Sequence, residues 1–290
     1  MSYGFSYMGS KQKIAADIIN ALPCGNRFID LFGGGGAISH AAVLSGKYNK
    51  VVYSDYNPLT CKLFLQGIRG EFSYTRFKPK FISREDFIRQ KEKSGYIKYI
   101  WSFGNRGQEY KFGKDKEPLK KLAHNFVVFA EYSEELEAII PHIREKVTGD
   151  NIKQRRIQFK RAVRAETRRF DLEQLERLQQ LERLQQLEVK CRSYTDYDYQ
   201  DGDIVYCDPP YEETQEYDEE FNHKAFYNWI ASRTYQVWFS SYDNITDSRF
   251  NRVWSKEINS TLSATNNSCK KVECLYTNSK DNGFAQLSLF

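Results

Sequence analysis

The chain has 290 residues, 40% apolar and 15% aromatic, which suits one α/β domain with a smaller inserted domain and excludes a disordered protein. Its formal net charge of +5 is a mild bias toward polyanions and identifies no partner by itself. No apolar run approaches the ~20 residues of a membrane span, and the six cysteines stand singly without zinc spacing, so neither a membrane protein nor a metal centre is expected.

The polar start MSYGFSYMGSK has no signal-peptide pattern, which predicts a reduced, cytoplasmic setting. From Lys11 to Leu22, apolar Ile14, Ile18, Ile19 and Leu22 recur at helical spacing, and Pro23 and Gly25 end the helix. Phe28 to Phe32 reads as a buried strand running into a glycine loop, Gly33 to Gly36. Ala37 to Leu44 is a helix of small residues, and Val51 to Ser54 is a second strand ending at Asp55. A strand, a glycine-rich turn, a helix and a strand open a doubly wound sheet.

Beyond Glu71 the rhythm is lost, and the chain stays polar and charged to about Glu188. Eight basic residues fall between Asn151 and Arg169, with only Glu166 opposing them. Next comes an exact repeat, LERLQQ, at Leu175–Gln180 and Leu181–Gln186, with a leucine at every third position from Leu172 to Leu187. These residue types favour helix, but a three-residue spacing drifts around an α-helix, so the stretch reads as a helical spacer. Alternation resumes with candidate strands at Leu187 to Ser193 and Ile204 to Cys207, a helix at Phe221 to Ser232, and strands at Gln236 to Ser240 and Val272 to Thr277. The expected organisation is a core of residues 1–70 and 185–290, split by an inserted, mainly helical domain of residues 71–184.

Two strings carry chemistry. In FIDLFGGGGAIS, glycines after a strand let backbone approach a ligand closely. The dinucleotide fingerprint G-x-G-x-x-G fails because Ser39 holds its third place, which argues against a hydride-transferring enzyme, whereas Phe32, Gly34 and Gly36 satisfy F-x-G-x-G. Asp55, at the tip of the next strand, can accept hydrogen bonds from a ribose diol, or can be a surface acid beside a flexible loop. In IVYCDPPY, an apolar strand delivers Asp208 to the carboxyl end of the sheet. Pro209 and Pro210 remove two backbone donors and leave carbonyls to accept. A carboxylate and a carbonyl together can hold both protons of an exocyclic amine, with Tyr211 as a flat face for the base; the bland alternative is a Pro-Pro turn capped by Asp208.

F-x-G-x-G followed, after a long insertion, by D-P-P-Y resembles the Dam-like group (D12, or alpha) of DNA adenine-N6 methyltransferases, and YMGSK resembles that group's opening motif. The resemblance covers about residues 1–70 and 185–290. It implies a Rossmann-like methyltransferase sheet with helices on both faces, S-adenosyl-L-methionine as cofactor and double-stranded DNA as partner. Tyr7 would line the cofactor pocket, Lys11 would sit near cofactor or DNA, Phe32, Gly34 and Gly36 would form the cofactor loop with Asp30 nearby, and Asp55 would hold the ribose. Ser193 and Tyr194 would contact the cofactor's adenine edge, and Asp208, Pro209, Pro210 and Tyr211 would hold the target adenine.

DNA contacts are expected in the insertion. Arg155, Arg156, Lys160 and Arg161 are candidates for phosphate, or belong to a solvated helix face. Asn105 and Arg106 in WSFGNRG are base-edge candidates by type, or turn residues. The acidic stretch from Glu212 to Glu220 has no assigned part. The competing readings are an N4-cytosine methyltransferase, which more often carries Ser before the prolines, and a catalytically inactive DNA-binding module of the same fold. The recognition site and any restriction partner are not legible.

Overall fold

A computed structural model describes residues 3–163, 172–212, 221–260 and 269–278 of the chain. Seven strands are assigned: β1 (Gly25–Asp30), β2 (Tyr48–Asp55), β3 (Glu188–Cys191), β4 (Asp203–Cys207), β5 (Val237–Tyr242), β6 (Asn251–Ser260) and β7 (Cys269–Thr277). They form one sheet in the order β3-β2-β1-β4-β5-β7-β6. Every pairing from β3 through β5 is parallel, and β7 runs antiparallel to both β5 and β6. This is a Rossmann-like α/β sheet whose strand order reverses between β1 and β4, the place where open α/β sheets bind ligands.

The chain divides into two compact units, Lys11–Cys61 with Gln186–Phe290, and Ser2–Ser10 with Lys62–Gln185. The first unit holds the sheet. Its central strands are buried on both faces: all five residues of β4 are buried, as are Phe28, Ile29 and Asp30 of β1. That is why IVYC reads as a continuous apolar run without alternation. The β1–β4 register is clamped at its start by register partners Arg27 and Asp203, whose guanidinium and carboxylate meet through two hydrogen bonds of 2.8 and 2.5 Å. Helix α1 (Ala15–Ala21) is shorter than the Lys11 to Leu22 pattern predicts, and Lys47 Nζ closes its end by donating to the carbonyls of Ile19, Asn20 and Leu22. Helices α2 (Ala37–Ser45), α3 (Pro58–Ile68) and α10 (His223–Ala231) follow the strands β1, β2 and β4 respectively. Strand β6 was not anticipated. It is an edge strand whose described side chains are exposed or half-buried, so its sequence carries no buried face to alternate.

The second unit is helical: α4 (Arg84–Gln90), a π-helical turn (Tyr96–Ile100), a 3₁₀ turn (Phe103–Asn105), α5 (Glu117–Phe129), α6 (Glu134–Ile139), α7 (Ile143–Lys146), α8 (Ile152–Ala162) and α9 (Leu172–Gln180). Ser83, Ser133 and Asn151 cap α4, α6 and α8 by accepting from the backbone N–H three residues on. The LERLQQ repeat behaves otherwise than as a spacer with drifting leucines. The α-helix gives way at Leu181–Leu184 to a 3₁₀ helix, and Leu172, Leu175, Leu178, Leu181 and Leu184 are all fully buried. Three residues make one 3₁₀ turn, so the spacing that drifts on an α-helix holds its face there. Gly67 of α3 lets this leucine row approach: a Cβ there would stand 2.7 Å from Leu181 Cδ1 and 3.1 Å from the Leu178 carbonyl oxygen.

Candidate active site

The glycine loop after β1 is shaped by its own hydrogen bonds. Gly34 and Gly36, the two glycines of F-x-G-x-G, have φ of 46° and 72°, a region that side-chain-bearing residues rarely enter. Gly33 is needed for a different reason. A Cβ there would lie 2.3 Å from the Tyr53 ring, whose hydroxyl donates to the Gly34 carbonyl at 2.9 Å. Asp55 ends β2 and receives the loop: its Oδ2 accepts the Gly34 N–H and its Oδ1 accepts the Asn57 N–H, both at 2.8 Å. Burial pushes the Asp55 carboxyl up, and those two donors pull it back. Each oxygen keeps a second lone pair for a ligand hydroxyl.

Asp30, the last residue of β1, is buried. Its Oδ2 accepts the Ser39 hydroxyl at 2.7 Å, while Oδ1 is buried with no hydrogen-bond partner among the described residues. Burial raises its pKa to about 7, against the Ser39 hydrogen bond and with help from the Asp208 charge. An orphaned buried carboxylate oxygen beside a positive-φ glycine loop suits a cationic ligand group. Ser39, which spoils the dinucleotide fingerprint, is thus the partner that holds Asp30.

Across the switch point, β4 delivers Asp208. Lys11 Nζ lies 2.9 Å from Asp208 Oδ1 and 3.6 Å from Oε1 of Glu273 on β7. The Tyr211 hydroxyl contacts the same two oxygens, Asp208 Oδ1 at 3.2 Å and Glu273 Oε1 more closely. Both of these Asp208 contacts fall on Oδ1, and the side chain keeps 17% exposure. Burial pushes the Asp208 carboxyl up and the Lys11 ammonium pulls it down; Glu273 is subject to the same two influences. The Tyr211 ring is only 9% exposed, packed edge-on to Tyr242 at 4.6 Å with Lys11 Nζ 4.6 Å over it, so it presents little open face. Of the two prolines, Pro210 has its carbonyl engaged, 2.7 Å from His223 Nε2. Neither Glu273 nor His223 was marked by sequence, although a lone acid inside the apolar run Val272 to Thr277 was a usable signal.

Phe32 and Tyr194 stack at 5.5 Å and 27°, and both meet Phe226 edge-on. Ser193 beside them accepts from the Thr195 hydroxyl at 2.9 Å. Lys11, Asp30, Phe32, Gly34, Gly36, Asp55, Ser193, Tyr194 and Asp208 to Tyr211 therefore all belong to the sheet-bearing unit.

Tyr7, Asn105, Arg106, Arg155, Arg156, Lys160 and Arg161 belong to the helical unit. Tyr7 packs edge-on to Tyr99 at 5.1 Å. Asn105 is a turn residue, with φ of 58° and its side-chain amide donating to the Tyr99 carbonyl at 2.8 Å; Arg106 caps the same turn. Arg155 donates to the carbonyls of Val127, Val128 and Gly149, which closes the end of α5. Arg156 pairs with Glu176, and Lys160 lies 2.7 Å from Glu173. Lys153 and Arg161 are exposed, and Arg164, Arg168 and Arg169 of the same run lie outside the described residues, as does most of the acidic stretch after Tyr211. Also among the described residues, no group of His, Cys, Asp and Glu is placed to hold a metal ion, and no helix is long and apolar enough to cross a membrane.

Residues 7–282 match a family model described as D12 class N6 adenine-specific DNA methyltransferase. No curated protein matches the chain.

Proposed function

The chain belongs to the D12 class N6 adenine-specific DNA methyltransferase family, and we propose that within it the enzyme draws its methyl group from S-adenosylmethionine and acts on an adenine turned out of duplex DNA toward Asp208. The observation that carries the reading is the Asp208 carboxylate at the sheet's switch point, whose ion pair with Lys11 and hydrogen bond from Tyr211 both fall on Oδ1.

S-adenosylmethionine, when bound, supplies a methyl group on a sulfonium centre. Asp55 has the lone pairs to accept its ribose hydroxyls, and Gly34 and Gly36 let backbone approach it. Asp30 offers an unpartnered oxygen for its ammonium end, Phe32 and Tyr194 give aromatic surface, and Ser193 a hydroxyl. Lys11 completes the proposed set in this unit.

The target amine is a weak nucleophile because its lone pair is spread into the ring. Asp208 Oδ2 accepting one N–H, with the Pro209 carbonyl accepting the other, draws the nitrogen toward a tetrahedral shape and exposes the lone pair. Positioning and fixed charge supply the rate. A paired base cannot reach this site, so the duplex must release it, at a cost of a few kcal/mol. Lys153, Lys160 and Arg161 offer exposed cations for phosphate.

The test is a product digest. Purified protein, duplex DNA and S-adenosylmethionine should yield N6-methyladenine and no N4-methylcytosine. Asp208→Ala should abolish turnover while cofactor affinity stays within about tenfold. N4-methylcytosine as the product, or turnover surviving in Asp208→Ala, would overturn the reading.

A further inference from the structure

Asp55, the last residue of β2, stands between two thiols. Cys191, the last residue of β3, is its register partner on the neighbouring strand. Cys61, in the first turn of α3, places Sγ 3.3 Å from the Asp55 carbonyl oxygen and 3.5 Å from that of Lys190, the residue before Cys191. The Cys191 Sγ lies 3.8 Å from the Tyr56 carbonyl oxygen. The two thiols also interact with each other: burial, the Asp55 charge and the contact with Cys191 together push the Cys61 thiol up.

The two differ in access. Cys191 is exposed, and Cys61 is only 5% exposed. An oxidant therefore enters at Cys191, and Cys61 is the partner that resolves what forms there. With hydrogen peroxide, the Cys191 sulfur attacks one peroxide oxygen; the O–O bond breaks, and a sulfenic acid and water result. The Cys61 sulfur then attacks the Cys191 sulfur. The S–S bond forms, the S–O bond breaks, and the hydroxyl leaves with the Cys61 proton as a second water. Two electrons pass from the thiols to the peroxide. Cys24 is exposed as well, but it precedes β1, at the opposite end of the sheet from Asp55.

A disulfide holds its sulfurs ~2 Å apart, well inside van der Waals contact, so the end of β3 and the first turn of α3 must close on each other. It also removes the S–H donors from the carbonyls of Asp55, Lys190 and Tyr56. Asp55 lies between the two, and its carboxylate carries the Gly34 and Asn57 N–H groups. We propose that Cys61 and Cys191 are a redox-sensitive dithiol, and that joining them displaces Asp55 and weakens cofactor binding. The proposal rests on the reading of Asp55 as the ribose acceptor.

The test uses the purified full chain, reduced and peroxide-treated, with S-adenosylhomocysteine as the probe. Peptide mass spectrometry after alkylation should find the Cys61 and Cys191 peptides linked. Calorimetric titration should find Kd raised at least about tenfold in the oxidised protein and restored by dithiothreitol. Binding and oxidation are reciprocal, so saturating S-adenosylhomocysteine should disfavour the disulfide by the same factor in a glutathione redox buffer. Cys191→Ser, at an exposed position, should bind as reduced wild type does, before and after peroxide, whereas Cys24→Ser should respond as wild type does. Three results would overturn the proposal: no linkage of Cys61 to Cys191 after peroxide, linkage with Kd unchanged, or an equal peroxide response in Cys191→Ser. Reduced wild type that binds no S-adenosylhomocysteine removes the cofactor reading, and the switch with it. Reduced protein that binds, while any of the three results occurs, removes the switch alone.

Discussion

The Gly34 N–H donates to Asp55 Oδ2 at 2.8 Å, which makes the glycine loop and the acid at the end of β2 one hydrogen-bonded piece. Asp55→Ala should therefore remove a loop anchor together with the proposed ribose acceptor. The expected loss of cofactor affinity is roughly 1.5–3 kcal/mol, the range for hydrogen bonds to a charged group. Calorimetric titration with S-adenosylhomocysteine measures it, and an unchanged Kd would remove Asp55 from the cofactor site.

Gly33→Ala and Gly46→Ala should differ in kind. At Gly33 the new methyl group meets the Tyr53 ring, which must shift and release the Gly34 carbonyl; overpacking of this sort costs about 1–3 kcal/mol. At Gly46 nothing lies within 4 Å, so only the strain of φ +66° is incurred, roughly 1–2 kcal/mol. Both variants should melt lower, and only Gly33→Ala should also weaken cofactor binding. Equal cofactor affinity in the two would show that the Tyr53 contact has no bearing on the loop.

The basic helix α8 should separate into structural and exposed cations. Arg155→Ala uncaps α5 and should lower stability by about 1–3 kcal/mol whatever the salt. Replacing Lys153 and Arg161 by Ala should leave stability unchanged and reduce the slope of log affinity against log salt by about 0.9 for each true phosphate contact. Cognate and random duplexes should weaken alike, because phosphate contacts position and do not specify. Parallel salt dependences for variant and wild type would deny this face of α8 a part in DNA binding.

Asp30 predicts a pH signature. Its folded pKa of about 7 is above its ordinary value of 3.8, so the folded state holds a proton that the unfolded chain has lost between those pH values. The stability it contributes is complete below pH ~4 and is lost as pH rises to ~7. Asp30→Asn cannot ionise. The variant should match wild type near pH 4 and exceed it above pH 7, by an amount on the order of 2–4 kcal/mol. Thermal unfolding of both proteins across this range is the check, and a constant difference between them would show that Asp30 ionises as easily folded as unfolded.

The parts legible in sequence were those where one residue type answers one requirement. Positive φ at Gly34 and Gly36 demands glycine, and a strand buried on both faces demands an unbroken apolar run such as IVYC. Hence β1, β2, β4, β5 and the ends carrying Asp30, Asp55 and Asp208 could be placed within a few residues. Partners that arrive from far along the chain could not. Glu273 reaches Tyr211 from 62 residues away, and its strand announces only a charge in apolar company. In the basic run, charge alone does not say who is opposite: Arg155 faces helix-end carbonyls and Arg156 faces Glu176. Asn105 has the chemistry to read a base edge, yet its amide closes a turn.

The change from α to 3₁₀ helix inside the LERLQQ repeat separates length from phase. On an α-helix, three residues turn the chain by about 60° short of a full circle, so a continued helix would bring Leu181 to the side opposite Leu172. On the 3₁₀ segment, three residues return to the same side and advance it by roughly 6 Å. Units of three can thus be gained or lost there as whole turns, with the apolar row still aimed at α3. A four-residue change would rotate every leucine beyond it by about a third of a turn. The switch of helix type, with no change of residue type, is what keeps Leu181 and Leu184 on one side.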